Sequence, residues 1–410
     1  MSKIAALFAS LSLLMSACSG FSGDIFSKDQ EPRVVTEDAK RLATASNQFG
    51  FDLFGKLTAE GMGNNIFFSP MSISLALEMT GNGASGKTLE EMSRTLHLGQ
   101  MTTDEVNKSA LALMKSIKSA DPKIELAMAN SLWARQGVEF KKDFLARNKD
   151  NFQAEMTSLN FNDPQAKATI NNWVSRSTRG KIPTIIDTID NQMVLYLINA
   201  IYFKGQWKDK FDKSRTETAP FHLASGSEKP VPMMNQSGSY SYIRGDRFQA
   251  VGLPYGKGDF SMLIFLPDSG YPLKDFLRSF NHEKWERLMT GFKNNPGTVR
   301  IPRFKLSFEK ELSGILKSLG MTTAFDAGTA DFSKMLDQSN VLISEVKHKA
   351  IVEVNEEGTV AAAATSVGIR LTSAIIDEPF NFVADHPFVI AIRDQRSGAI
   401  LFMGIVENPS

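Results

Sequence analysis

Residues 356–373 read Glu-Glu-Gly-Thr-Val-Ala-Ala-Ala-Ala-Thr-Ser-Val-Gly-Ile-Arg-Leu-Thr-Ser. Four consecutive alanines favour a helix, whereas Gly358, Thr359, Val360 and the β-branched residues that follow do not. The segment therefore has two possible homes. Laid out as a strand, one face is Thr359, Ala361, Ala363, Thr365, Val367, Ile369 and Leu371, a row without charge that grows more apolar along the chain. The other face is Val360, Ala362, Ala364, Ser366, Gly368 and Arg370, with the segment's one cation. A period of two is what a strand with one buried face requires. The small residues come first, where a strand squeezing into a sheet meets least obstruction. Composition alone also fits a plain linker or a frayed helix.

The flanks of this segment are strand-like. Val341–Val346 and Ala350–Val354 precede it, and Phe388–Arg393 and Ala399–Val406 follow it, the last two joined as a hairpin by Asp394–Gly398. Further back, Val194–Phe203 is a nearly unbroken apolar run with Asn199 inside it, the pattern of a fully buried strand. Phe260–Leu266 and Val299–Leu306 are further strands. The first half is helical. Phe49, Leu53 and Leu57 recur at helical spacing, and Ser69-Pro70 is a helix start, with Ser as cap and Pro in the first turn. Ile73, Ala76, Leu77 and Thr80 share a face of that helix, which Gly81 and Gly83 end. A second helix is predicted to open at Thr88, with Glu91 completing a capping box and Met92 and Leu96 on its apolar side. There is no internal repeat and no second linker, so one α+β domain over residues 36–410 is expected.

The 410 residues carry a net charge of +1 and no basic run interleaved with aromatics, which sets nucleic-acid binding aside. The five histidines are scattered and the one cysteine is Cys18, so neither a metal site nor an intrachain disulfide nor any cofactor is expected. Gly81–Thr88 matches the phosphate-binding pattern G-x-x-x-x-G-K-[ST]. That mechanism needs a strand before the loop, and here a helix precedes it. A G-x-S-x-G nucleophile elbow is absent. No enzymatic chemistry is expected.

Residues 1–18 read as an export signal: Lys3, a short apolar stretch from Ile4 to Leu14, then Leu14-Met15-Ser16-Ala17-Cys18. Small residues before a cysteine resemble the bacterial lipobox, with Met15 where that motif usually has Leu. Lipidation of Cys18 is the expectation, cleavage after Ala17 the alternative. Residues 19–35 form an aperiodic polar tether. The expected location is the outer membrane or cell surface, through a lipid anchor, otherwise secretion. Ser19, rather than Asp, after Cys18 favours the outer membrane.

From about residue 36 to 409 the chain resembles the serpins. The resemblance is carried by Asn65-Ile66-Phe67-Phe68-Ser69-Pro70, the glycine-rich turn Gly83-Ala84-Ser85-Gly86-Lys87-Thr88, and Asn199-Ala200-Ile201-Tyr202-Phe203-Lys204-Gly205-Gln206-Trp207. Leu253-Pro254-Tyr255, Ile301-Pro302-Arg303-Phe304, His386-Pro387-Phe388 and Leu401-Phe402-Met403-Gly404 follow in the family's order. The resemblance implies three β-sheets, about nine helices and an exposed reactive-centre loop, about residues 356–380. It also implies suicide-substrate inhibition: a protease cuts the loop, and the cut loop enters the large sheet as a strand, dragging the acylated protease with it. Burying Val367, Ile369 and Leu371 would contribute roughly 1.5–3 kcal/mol each. The hinge Gly358, Thr359, Val360, Ala361, Ala362, Ala363, Ala364, Thr365 matches the inhibitory pattern. The other reading is a non-inhibitory serpin acting as a binding or carrier module.

The resemblance implies about seventeen residues from Glu356 to the residue before the cut, which puts the reactive bond at Thr372–Ser373, give or take one. Thr372, with Leu371 behind it, suits elastase-like or subtilisin-like serine proteases. Papain-like cysteine proteases would read Leu371, and trypsin-like enzymes would cut at Arg370. The resemblance also assigns Ser69, Asn199 and His348 to a polar cluster beneath the sheet where strands part. It puts Trp207 near the point where the loop enters, and pairs Arg303 with Glu356 in a salt bridge that would restrain insertion. The expected partners are target proteases, with the protein acting as a monomer.

Overall fold

A computed structural model describes residues 35–359 and 378–409, apart from 119, 122, 191 and 338–340. Thr36 caps α1 (Glu37–Gly61) by accepting the Ala39 N–H, and the apolar positions of that helix face inward. A short strand β1 (Ile66–Phe68) leads to α2 (Pro70–Gly81), whose start is the predicted one: Ser69 Oγ accepts the Ser72 N–H and Pro70 occupies the first turn. All twelve residues of α2 are buried, so the helix is enclosed on every side rather than along one face. Two more helices, α3 (Gly86–Thr95) and α4 (Thr103–Lys118), complete this helical part.

The predicted capping box at Thr88 does not form, and α3 begins two residues earlier. Thr88 Oγ1 instead accepts the Asp331 N–H, and the Glu91 carboxylate takes the N–H and hydroxyl groups of Thr322 and Thr323. In the turn before α3 the amides of Gly83, Ala84 and Ser85 donate to the carbonyls of Thr80, Gly81 and Asp331, so these three are not turned towards a phosphate.

Next come β2 (Ile124–Arg135), α5 (Lys142–Phe152), β3 (Glu155–Leu159), α6 (Gln165–Ser177) and the long buried strand β4 (Leu195–Gln206). A run of strands follows: β5 (Glu217–His222), β6 (Glu228–Gly245), β7 (Phe248–Tyr255) and β8 (Phe260–Pro267), then α7 (Leu273–Ser279) and α8 (His282–Met289). The predicted strand Val299–Leu306 is in fact two. It divides at Arg303 into β9 (Lys293–Pro302) and β10 (Phe304–Glu311), which belong to different sheets. After α9 (Ser313–Ser318), the two predicted strands around residues 341–354 are one, β11 (Glu345–Asn355). Its alternating burial shows that one face packs on the core and the other is partly open. Then come β12 (Gly358–Thr359), β13 (Phe380–Val383), β14 (Phe388–Asp394) and β15 (Ile400–Val406), the last pair being the predicted hairpin.

The strands form two hydrogen-bonded networks. The larger runs β1-β15-β14-β8-β7-β6-β9-β13, with β5 on β6. The smaller is β10-β11-β12-β4-β2-β3. Where three sheets are expected, the hydrogen bonds join the strands into two, the eighteen-residue β6 pairing with β5 at its start and with β9 and β7 further on. With nine α-helices among the described residues, the architecture is α+β. The main core lies between the two networks and around α1 and α2. A second cluster packs α6, through Ile170 and Val174, on the opposite face of the smaller sheet, against Trp133, Tyr196 and Ile198. No helix among the described residues is long and apolar enough to cross a membrane.

Candidate functional site

The seam between β4 and β11 changes character along its length. From Glu345↔Tyr196 to Ile351↔Tyr202 the two strands pair directly and in parallel. Higher up they part, and β12 sits between them. Gly358 and Thr359 pair antiparallel with Gln206 and Gly205 on one side and with Asn355 and Val354 on the other. The first two hinge residues therefore already occupy the cleft. Gly358 has φ of +131°, and a Cβ there would lie 2.2 Å from the Gly205 carbonyl oxygen, so only glycine fits. Thr359 is 0% exposed, and its Oγ1 lies 3.1 Å from the Tyr255 hydroxyl of the opposing sheet. Its side chain therefore faces the core.

Beneath the paired half lies the polar cluster Ser69, Asn199 and His348. His348 Nε2 accepts the Ser69 backbone N–H at 3.2 Å, so Nδ1 carries the proton and donates to Asn199 Oδ1 at 2.5 Å. Asn199 Nδ2 in turn reaches the Ser72 carbonyl, the Ser72 hydroxyl and Asn130 Oδ1. Burial pushes the imidazole down to about 3, so it is neutral at physiological pH. The cluster ties the start of α2 to three adjacent strands. Sequence reading missed Ser72 and Asn130: each is an ordinary small polar residue in an apolar run.

Above the cleft the groups are charged. Arg303 grips Glu356 through Nε, 2.7 and 2.8 Å from the two carboxylate oxygens, and Thr216 Oγ1 donates to the same carboxylate. Burial alone would raise the Glu356 pKa, but the bonds from Arg303 and Thr216 outweigh it and hold it below the usual carboxylate range. Glu357, unremarked in the sequence, pairs with Lys210 at 2.6 Å and Lys213 at 3.4 Å. Trp207 stacks on Tyr255 with ring centroids 4.4 Å apart, and its Nε1–H donates to the Asn355 carbonyl. Its backbone N–H donates to the Glu357 carbonyl, so Trp207 braces both arms of the chain that turns into the hinge.

The rest of the hinge, Val360 to Thr365, together with Arg370, Leu371, the Thr372–Ser373 bond and the lipidation candidate Cys18, lies outside the described residues. Among the described residues no three His, Cys, Asp or Glu side chains gather so as to hold a metal ion.

The arrangement, a sheet parted at one end with the start of a small-residue strand inside it, has a match among protein families. Residues 44–409 match the family model described as Serpin (serine protease inhibitor). The chain is a serpin. It is 38% identical to human leukocyte elastase inhibitor over 387 residues, which cover 90% of this chain and all of that one. The crystal structure of the thermophilic serpin tengpin in its native state superposes with a TM-score of 0.82 at 31% identity, covering 90% of this serpin and 94% of tengpin. Human thyroxine-binding globulin gives a TM-score of 0.84 at 27% identity, covering 91% of this serpin and all of that chain.

Proposed function

We propose that this serpin inhibits serine proteases of elastase-like specificity by trapping them as acyl-enzymes, with Thr372–Ser373 as the bond attacked. The observation that carries the reading is the seating of Thr359. Its side chain faces the core, and a strand inserted in continuation of Thr359 would put Ala361, Ala363, Thr365, Val367, Ile369 and Leu371, the uncharged row, on the same side. The register of β12 extends the argument. Thr359 stands opposite Gly205 in an antiparallel pair, so residue 359 + n would stand opposite 205 − n. Thr365 would meet Asn199, and residue 369 would meet Leu195, the first residue of β4. Inserted that far, the loop replaces the direct β4–β11 pairs one by one, and Arg370 lies beyond the strand. The cut end at Thr372 would then sit at the foot of the sheet, where a tethered protease is displaced. A misplacement of about 1 Å in an active site can cost about a hundredfold in rate, so deacylation stalls.

The relation to leukocyte elastase inhibitor supports the elastase-like assignment. Subtilisin-like and papain-like enzymes are secondary targets, and cutting at Arg370 by a trypsin-like enzyme would give a shorter inserted strand and a substrate outcome. The protein acts as a monomer and needs no cofactor. It is exported and held at the membrane by lipid on Cys18; a clickable palmitate analogue should label the chain and not its Cys18→Ala variant. The test of inhibition is a panel of elastase-, subtilisin-, trypsin- and papain-like proteases mixed with the protein. The expected result is a complex with the elastase-like enzyme that survives boiling in detergent, and a released peptide beginning at Ser373 by mass spectrometry. Clean cleavage without such a complex across the panel would overturn the reading in favour of a carrier, the role suggested by thyroxine-binding globulin, whose structure holds thyroxine.

A further inference from the structure

The His386-Pro387-Phe388 motif stands where the chain leaves β13 and enters β14. His386 Nδ1 lies 2.7 Å from Asp385 Oδ1, and Nε2 lies 2.8 Å from the carbonyl oxygen of Pro267, the last residue of β8. A carboxylate and a carbonyl only accept hydrogen bonds. Both ring nitrogens must therefore donate, and the ring that satisfies this corner is the imidazolium. A neutral ring would turn a lone pair towards one of the two oxygens.

The surrounding charges agree. Asp268, next after β8, is a second carboxylate near the ring and is itself paired with Arg244. Beyond Asp385 lie His222 and Glu228 of the β5–β6 hairpin, 3.2 Å apart, and on β9 Arg300 stands opposite Val383. Burial alone would lower the His386 pKa, but the bonds to Asp385 and the Pro267 carbonyl outweigh it and hold it above the ordinary value. Burial would likewise raise Asp385, which the bond from His386 holds below the usual carboxylate range.

This corner secures β13. The strand has four residues and, among the described residues, pairs only with β9. Arg300 lies three positions before Arg303, where the chain passes into β10 at the hinge end of the smaller sheet, so β13 is at that end too. The chain from Thr359 to Phe380 thus starts and finishes near the hinge. Insertion as far as residue 369 would carry it about 33 Å down the seam. The ten residues 370–379, which reach at most about 36 Å, would have to return that distance and cross to β13. An uncut loop can enter fully only if β13 gives way.

Taking the insertion register proposed above as given, we propose that His386 is a proton-operated clasp: as imidazolium it pins the end of β13 to β8 and keeps the uncut loop out of the seam, and on losing its proton it loosens β13 and lets the uncut loop insert. Once the clasp opens, the ring returns towards about 6.5, so opening releases a proton. It becomes easier as pH rises from about 6.5 to the clasped value, by at most about tenfold per unit, and below that range the clasp is fully made.

The test uses the full chain, uncut. Nitrogen-15 NMR of the histidine rings, with His386→Gln to identify the signal, should show His386 protonated on both nitrogens at about pH 6 and titrating above about 6.5. Hydrogen exchange of residues 380–385, corrected for the intrinsic effect of pH, should quicken at least about threefold from about pH 6 to about pH 9. Conversion of the uncut chain to a urea-resistant, loop-inserted form should quicken by at least about the same factor. His386→Gln should exchange and convert fast at both pH values, and His386→Arg, a cation with several donors at both, slowly at both. A ring with one proton at about pH 6, exchange that ignores pH, conversion that is absent or ignores pH, or a pH response that survives in His386→Gln overturns the proposal. None of these readouts needs a protease. A chain that meets them yet traps no enzyme would break the trapping reading and leave the clasp standing.

Discussion

The two halves of the β4–β11 seam are held by different kinds of chemistry. The lower half is closed by direct strand pairing over a neutral cluster in which Ser69, Asn199 and His348 are all buried. The upper half is filled by Gly358 and Thr359 and fixed from above by carboxylates and cations, of which Arg303 is half exposed and Lys213 more so. Opening the lower half strands buried donors and acceptors, each costing about 1–3 kcal/mol. Adjusting the upper half exchanges ion pairs with water, where partly exposed pairs are worth little. The seam is therefore stiff at the bottom and adjustable at the top. A strand can start to insert without the whole sheet giving way.

The largest effect should follow from placing a charge at the point where the two halves meet. Thr359 has no exposed surface, and its hydroxyl is matched to Tyr255. In Thr359→Arg an unpaired cation would have to be buried for insertion to begin, a penalty of several kcal/mol. Cleavage of the loop does not require burial, so it continues. We expect the yield of detergent-stable complex with an elastase-like protease to fall by more than about a hundredfold while the protease still cuts the chain. An unchanged yield would show that Thr359 need not remain seated in the cleft.

A smaller effect tests the upper half alone. Glu356 is 1% exposed and takes bonds from Arg303 and Thr216. Glu356→Lys removes these bonds and sets two cations together, for an expected loss on the order of 1 kcal/mol, since Arg303 is half exposed and water screens the pair. The outcome should be faster polymerisation on a native gel after mild heating, together with weaker inhibition. If neither changes, the pair does not restrain the hinge.

The same contrast explains what sequence reading could reach. The cap at Ser69-Pro70, the buried strand around Asn199 and the final hairpin are legible because local chemistry and apolar pattern agree. The Thr88–Glu91 capping box is also locally plausible, but Thr322, Thr323 and Asp331, more than two hundred positions away, compete for both side chains and win. The division at Arg303 is invisible for a related reason: the apolar run continues across it, and only the neighbouring strands decide which sheet each part joins. In the site, the family resemblance assigns roles to Ser69, Asn199 and His348. It assigns none to Ser72, Asn130 and Thr216, since nothing in one sequence distinguishes a small polar residue that completes a network from one that merely sits at a surface.

The finest distinction concerns pH, because the two ends of α2 respond to acid in opposite directions. His348, below its first turn, is held at about 3, against about 6.5 when unfolded. Between those values the unfolded chain binds a proton that the folded chain refuses, so stability falls on acidification, by up to about 1.4 kcal/mol per pH unit. Glu78, in its last turns, is held at about 7, against about 4.5 when unfolded. Between those values the folded chain keeps the extra proton, and stability rises on acidification at the same limiting slope. From pH 6.5 down to 4.5 the two contributions nearly cancel. His348→Gln, which keeps a neutral donor and acceptor near Ser69 and Asn199, removes one side of that balance. The difference in urea stability between the unaltered chain and this variant should therefore shrink as pH falls below about 6.5, while the difference from Glu78→Gln should grow as pH falls below about 7. Comparing each variant with the unaltered chain cancels the titration of every other group. Parallel curves for His348→Gln would mean that the imidazole takes up a proton inside the folded sheet, and the lower half of the seam would then not be neutral.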